Sequence, residues 1–216
     1  MPDGVALIHA DEQLLVLDKP AGLLAVPGRG EDKHDCLSAR AQALWPEALV
    51  VHRLDMATSG LLLMARGAQV QRQLSMAFAA RSVHKRYEAV VHGLLAPPES
   101  ADGWGEIALP LILDWPNRPR SVVDPVRGKP SLTRWRVLAQ DRAGGSTRVA
   151  LEPVTGRSHQ LRVHLLALGH PILGDALYAP PEVQARADRL LLHACALRLP
   201  HPASGQDCEF TSPAPF

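Results

Sequence analysis

The sequence predicts an α+β fold around a mixed, largely antiparallel central sheet with flanking helices and loops. Three observations predict it. Short apolar runs outnumber segments of helical periodicity, several of those runs lie close enough in the chain to pair locally, and Gly/Pro punctuation separates nearly all of them.

Taken in order, Leu14-Leu15-Val16-Leu17 reads as a strand that stops at Asp18-Lys19-Pro20, where proline offers no N–H to a ladder. Residues 21–30 are broken by Gly and Pro and predict a loop with at most one short extended piece. A helix is expected over 36–44, with Asp35 as N-cap and Trp45-Pro46 as its end. Residues 61–65 read as a buried strand, and 69–80 as an amphipathic helix whose apolar side carries Leu74, Phe78 and Met76. Residues 86–92 alternate as a strand does, placing Tyr87, Ala89 and Val91 on one face. Prolines at 97, 98, 110, 116, 119, 125 and 130 predict a loop-rich stretch over 93–130, an insertion or a linker between two lobes. Trp135-Arg136-Val137-Leu138 and Arg148-Val149-Ala150-Leu151 form a hairpin around Ala143-Gly144-Gly145. A helix over 158–168 ends at Gly169, a natural C′ residue, and a long apolar strand over 190–199 precedes a short last one at Glu209-Phe210.

With 216 residues, 46% of them hydrophobic, the chain can bury a core as one domain or as two lobes sharing a sheet. A formal net charge of +1 gives no global basic field of the kind that marks many nucleic-acid binders. Of the 23 basic residues, however, 19 are Arg, whose planar fork suits phosphates and stacks on bases; a GC-rich genome would produce the same enrichment. Cys36, Cys195 and Cys208 are too few and too widely spaced for a disulfide framework or a zinc knuckle. The first residues lack the basic-then-apolar order of a signal peptide, and no apolar run is long enough to span a membrane. A cytoplasmic protein with no membrane partner is the expectation. The ten histidines include no H-E-x-x-H, and His159 and His164, five apart, fall on different helix faces, so no metal site is expected. Ser59 lies in no G-x-S-x-G elbow, which argues against a Ser-His-Asp hydrolase.

Asp55 is the candidate catalytic group. It sits where a strand gives way to the turn Thr58-Ser59-Gly60, a place that can hold a carboxylate out at a cleft. Taken alone, such an Asp more often caps its own turn. Its surroundings shift that balance. The string His52-Arg53-Leu54-Asp55-Met56-Ala57-Thr58-Ser59-Gly60 is followed by Lys85-Arg86-Tyr87-Glu88-Ala89-Val90-Val91-His92-Gly93, then Thr155-Gly156-Arg157-Ser158-His159-Gln160-Leu161-Arg162-Val163-His164, then Leu190-Leu191-Leu192-His193-Ala194. Asp18-Lys19-Pro20-Ala21-Gly22-Leu23 precedes them all. In this order they resemble the RluA family of pseudouridine synthases. Pro110 to Pro119 and Gly169 to Asp175 are similar to its dual-specificity branch, which acts on large-subunit rRNA and tRNA anticodon stem-loops.

The resemblance implies a single catalytic domain over 1–216, two lobes sharing one sheet with the cleft across it, and no separate S4-like RNA-binding module. It implies Asp55 as the essential catalytic residue, Tyr87 against the target base, and Arg162 paired with the aspartate. Converting uridine to pseudouridine breaks an N-glycosidic bond and forms a C–C bond without redox change, so neither cofactor nor metal is implied. A carboxylate acts as nucleophile or base only when ionised. Burial opposes ionisation, and a paired arginine restores it. Because the target atom is hidden in stacked RNA, the nucleotide must be extruded or taken from a loop; Arg53 is the candidate to fill the vacated space or hold the flipped backbone. Lys85, Arg118, Arg120 and Arg157, with Arg86, Arg127 and Lys129, are candidate phosphate contacts, and the loop Trp115-Pro116-Asn117-Arg118 is expected to touch RNA. His52 is expected to be structural. The partner is then RNA, and the protein a monomer. The alternatives are a non-catalytic RNA-binding or assembly module and a carboxylate glycoside hydrolase, the latter lacking a convincing second acid.

Overall fold

The structure, a computed structural model, describes residues 5–28, 30 and 33–216. In chain order its elements are β1 (Ala6–Ala10), β2 (Leu14–Lys19), α1 (Leu37–Leu44), β3 (Ala48–Val50), β4 (Ser59–Arg66), α2 (Ala68–Ala79), β5 (His84–His92) and β6 (Gly105–Ile107). Then follow β7 (Leu111–Leu113), β8 (Ser121–Val123), β9 (Thr133–Asp141), β10 (Ser146–Pro153), α3 (Gln160–Ala167), α4 (Pro181–Gln184), β11 (Leu192–Pro200) and β12 (Asp207–Thr211). The fold is α+β, and its described strand pairs are antiparallel except β4 with β11. The chain divides into two compact units, Met1–Lys85 with His193–Pro215, and Arg86–Leu192 with Phe216.

In the first unit β4 pairs with β2 from Leu14↔Ala65 to Lys19↔Gly60, with β3 along its far half, and with β11 at Ser59↔His193 and Gly60↔Ala194. Nearly every β4 residue is buried, on both faces of the strand, which is why its sequence is an unbroken apolar run rather than an alternating one. The core gathers Leu14, Val16, Leu61 and Leu63 from the sheet, Val70 and Leu74 from α2, and Leu197 and Leu199 from β11. Gly60 is what lets β4 meet β11: a Cβ there would lie 2.4 Å from the Ala194 carbonyl oxygen.

Two local expectations are corrected here. The N-cap of α1 is Cys36, not Asp35, and its side chain makes no capping bond. The first helical N–H groups are instead satisfied by backbone: Leu37 donates to the Leu24 carbonyl (2.8 Å) and Ser38 to that of Ala25 (3.1 Å). Those partners come from the short extended piece expected in the 21–30 loop, and Asp35 is left to take a bidentate Arg40 (2.7 Å to each oxygen). In α2, Val70 and Leu74 are buried and Phe78 packs against the core, but Met76 is exposed, because two residues beyond Leu74 is the far side of a helix.

The second unit is built on an antiparallel run in which β10 pairs with β5 and β9, and β9 also with β6. The 93–130 stretch is richer in structure than its prolines implied, holding the edge strand β6 and the hairpin β7–β8 (Leu111↔Val123). Its prolines all sit outside these strands, where no ladder N–H is lost. Helix α3 starts at Gln160 rather than 158, since His159 is left-handed with φ 55°. It closes at Gly169 as predicted, with Gly169 N–H to Leu166 (2.8 Å) and His170 N–H to Leu165 (3.0 Å), a Schellman pair. No helix among the described residues is long and apolar enough to cross a membrane.

Candidate active site

In the first unit, residues 51–54 run from β3 into a turn closed by the Thr58 N–H on the Asp55 carbonyl (3.1 Å). Leu54 is buried, Asp55 half-buried and Arg53 exposed, so the buried leucine anchors a segment whose polar residues reach outward. The His52 ring packs on Phe78, centroids 4.8 Å apart, and its Nε2 accepts the Leu63 N–H at 2.9 Å. Desolvation, with the Lys85 charge adding to it, holds the imidazole down to about 3. His52 is thus a neutral acceptor pinning the segment to β4, the structural part expected of it.

Two further groups brace the same turn. Lys19 is fully buried, and its Nζ donates to the carbonyls of Pro20 (2.8 Å), Leu23 (2.6 Å) and Met56 (3.0 Å). Gly22 N–H also reaches the Met56 carbonyl (2.9 Å), so the opening motif and the residue after Asp55 are fastened together. On the other side a buried polar chain begins at Ser59, whose hydroxyl meets His193 Nδ1 at 2.8 Å. His193 Nε2 lies 3.1 Å from the Ser212 carbonyl, which can only accept, so Nε2 carries the proton and Nδ1 accepts from Ser59. Ser212 Oγ then donates to Asp18 (2.6 Å). Ser59, His193 and Ser212 are each less than 5% exposed. A serine, a histidine and an aspartate are linked here after all, but with the serines and the histidine buried; the chain ties β2, β4 and β11 together.

In the second unit Tyr87 lies half-buried on β5, opposite Leu151. The alternate β5 residues, Arg86 and Glu88, pair with Glu152 (2.9 Å) and Arg148 (2.9 Å). Arg162 on α3 is 4% exposed and forms a bidentate pair with Asp175, itself 1% exposed, at 2.8 and 2.6 Å. Asp175 also accepts the N–H groups of Leu177 (2.9 Å) and Tyr178 (3.2 Å). Gly174 puts it there: a Cβ at that glycine would lie 1.9 Å from the Arg189 carbonyl oxygen. Sequence reasoning missed Asp175 as Arg162's partner, although a buried helical arginine demands a carboxylate. That demand was the available signal.

Tyr178 was missed as well. Arg162 and Arg120 both lie over its ring, at 4.9 and 5.3 Å, and its hydroxyl accepts the Ser121 N–H (2.7 Å) and bonds His159 Nδ1 (2.7 Å). At the start of α3 the Gln160 carboxamide holds Thr155 (2.7 Å) and the Arg157 N–H (3.0 Å), fixing the Thr155-Gly156-Arg157 loop. Of the candidates, Arg53, Asp55 and Lys85 fall in the first unit, and Tyr87, Arg118, Arg120, Arg157 and Arg162 in the second. Arg118 stacks over Trp115 at 4.3 Å, and Arg157 donates to the Pro130 carbonyl at 3.2 Å. Lys85 is half-buried and its ammonium is lowered from the usual lysine range by desolvation. No three His, Cys, Asp or Glu among the described residues gather as metal ligands would.

Residues 13–167 match the family of RNA pseudouridylate synthases. The chain belongs to that family. Its activity is the isomerisation of uridine in RNA. The chain is 48% identical over 212 residues to the dual-specificity RNA pseudouridine synthase RluA of Escherichia coli K12, covering 98% of this chain and 94% of that protein. It is 45% identical to the protein of the same name from Pasteurella multocida, covering 97% and 93%. Among solved structures, human RNA pseudouridylate synthase domain containing 1 superposes with a TM-score of 0.78 at 29% identity, covering 98% of this chain and 84% of that one.

Proposed function

We propose that this enzyme converts uridines in the loops of RNA hairpins, in both large-subunit rRNA and tRNA anticodon stem-loops, with Asp55 as its essential residue. What carries the reading is the bracing around the Asp55 turn: Lys19, His52 and the Ser59–His193–Ser212–Asp18 chain hold a half-buried carboxylate on a fixed backbone. A turn that only capped itself would need none of this. Holding a reacting group in place ahead of the reaction lowers the barrier by prepaying its orientational entropy. Tyr87 stacks on the target base, Arg162, oriented by Asp175, pairs with Asp55, and Arg53 fills the gap in the RNA. Lys85, already desolvated, gains from an arriving phosphate, and Arg118, Arg120 and Arg157 hold the backbone further out. No cofactor takes part, the protein acts as a monomer in the cytoplasm, and the two units work as one catalytic domain.

The dual substrate is supported by the likeness to enzymes named dual-specificity over almost the whole of both chains. The test is to incubate the protein separately with an anticodon stem-loop and a large-subunit rRNA hairpin, and to map pseudouridine by chemical labelling. Product in both bears the proposal out. Product in one alone removes the dual part, and free uracil or ribose would mean a hydrolase.

A further inference from the structure

The hairpin β7–β8 carries exposed chemistry that the isomerisation itself does not use. Its turn, residues 114–120, is rigidly built. Asp114 N–H bonds the Arg120 carbonyl (2.9 Å), Asn117 N–H that of Asp114 (3.1 Å), and Arg120 N–H that of Asn117 (3.1 Å). The Asn117 carboxamide donates to the Asp114 carboxylate as well (2.9 Å). On this fixed turn Trp115 is 64% exposed, with the Arg118 guanidinium over its ring. A tryptophan left in water at the tip of a rigid turn adds nothing to the core, and its rigidity rules out a merely loose surface residue.

Charge divides the same unit. Along β5, β10 and β9 three of the four arginines are neutralised, Arg86 and Arg134 by Glu152 and Arg148 by Glu88, while Arg136 lies over the Trp104 ring. Around the hairpin, Arg118, Arg120, Lys129 and Arg157 form no ion pair with any described residue, while Arg127 is neutralised by Asp124. These cations are structurally linked. Lys129 exchanges backbone bonds with Leu111 at the hairpin base, Arg157 holds the next residue's carbonyl, and Arg120 lies over Tyr178. Uncompensated arginine and lysine beside an exposed aromatic is the chemistry that grips single-stranded nucleic acid, phosphates on the cations and a base on the ring.

We propose that the Trp115–Arg118 pair is a stacking platform for an unpaired base in the RNA loop that carries the target uridine, with Arg120, Lys129 and Arg157 holding the neighbouring phosphates. The inference rests on the RNA substrate argued above and deepens it. Stacking uses the face that every base has, so it selects unpaired loops without demanding one sequence. That property lets one chain accept hairpins of different sequence.

The test measures equilibrium binding of a labelled anticodon stem-loop hairpin, and of the same strand annealed to its complement, at one fixed salt concentration. Wild type, Trp115→Ala and Trp115→Phe are compared. The hairpin affinity is expected to fall about tenfold in Trp115→Ala and much less in Trp115→Phe, with duplex affinity the same for all three. Hairpin affinity unchanged in Trp115→Ala, or an equal loss on the duplex, overturns the platform while leaving wild-type conversion, and hence the substrate reading, intact. A wild type that binds no hairpin overturns both.

Discussion

Replacing Asp175 should destabilise the second unit far more than replacing any surface carboxylate. Asp175→Ala takes two charge-assisted bonds of 2.8 and 2.6 Å from an Arg162 guanidinium that is 4% exposed. It also orphans the N–H groups of Leu177 and Tyr178. Breaking a buried pair from one side costs about 3–5 kcal/mol. At about 2–4 °C per kcal/mol for a chain of this size, the melting temperature should fall by roughly 6–20 °C. Asp175→Asn keeps an oxygen for the two N–H groups and one bond to Arg162, losing chiefly the charge, so its fall should be about half as large. The assay is thermal melting followed by tryptophan fluorescence, since Trp104, Trp115 and Trp135 all report on this unit. An Asp175→Ala protein melting within about 2 °C of wild type would refute the reasoning. So would an Asn variant as damaged as the Ala variant, because the hydrogen bonds that Asn keeps would then contribute nothing.

Lys19→Met should leave RNA affinity nearly unchanged and lower kcat by about 10²-fold, because the Met56 carbonyl loses its ammonium and the Asp55 turn shifts. A loss confined to KM would contradict that. His52 gives a pH signature. Its imidazole is held to about 3 in the folded protein against 6.5 ordinarily, so between those values the unfolded chain binds the extra proton. Stability therefore falls as pH drops from about 6.5 toward 4, and His52→Gln, which can still accept the Leu63 N–H, should show a flatter melting profile over that window. Parallel profiles for the two proteins would mean that His52 is not held neutral.

The strands and long helices were legible because apolar runs and helical spacing state them directly; β4 and the β9–β10 hairpin are examples. The strands β6, β7 and β8 were not, since three residues between prolines carry too little pattern to separate a strand from a loop. The α1 cap was misread because its N–H partners, Leu24 and Ala25, are backbone atoms from another segment. The same limit governs the site. The strings offer Asp55, Tyr87 and Arg162 as candidates, whereas Asp175, Tyr178 and the bracing role of Lys19 follow from contacts between segments that no string spells out.

Asp55→Asn bears most directly on the central claim, since it keeps the shape of the side chain and removes only its charge. Pseudouridine formation on an anticodon stem-loop should fall by about 10²–10⁴-fold or beyond detection, with hairpin binding retained. Conversion at the wild-type rate would contradict the account, and Asp55 would then be only the cap of its own turn.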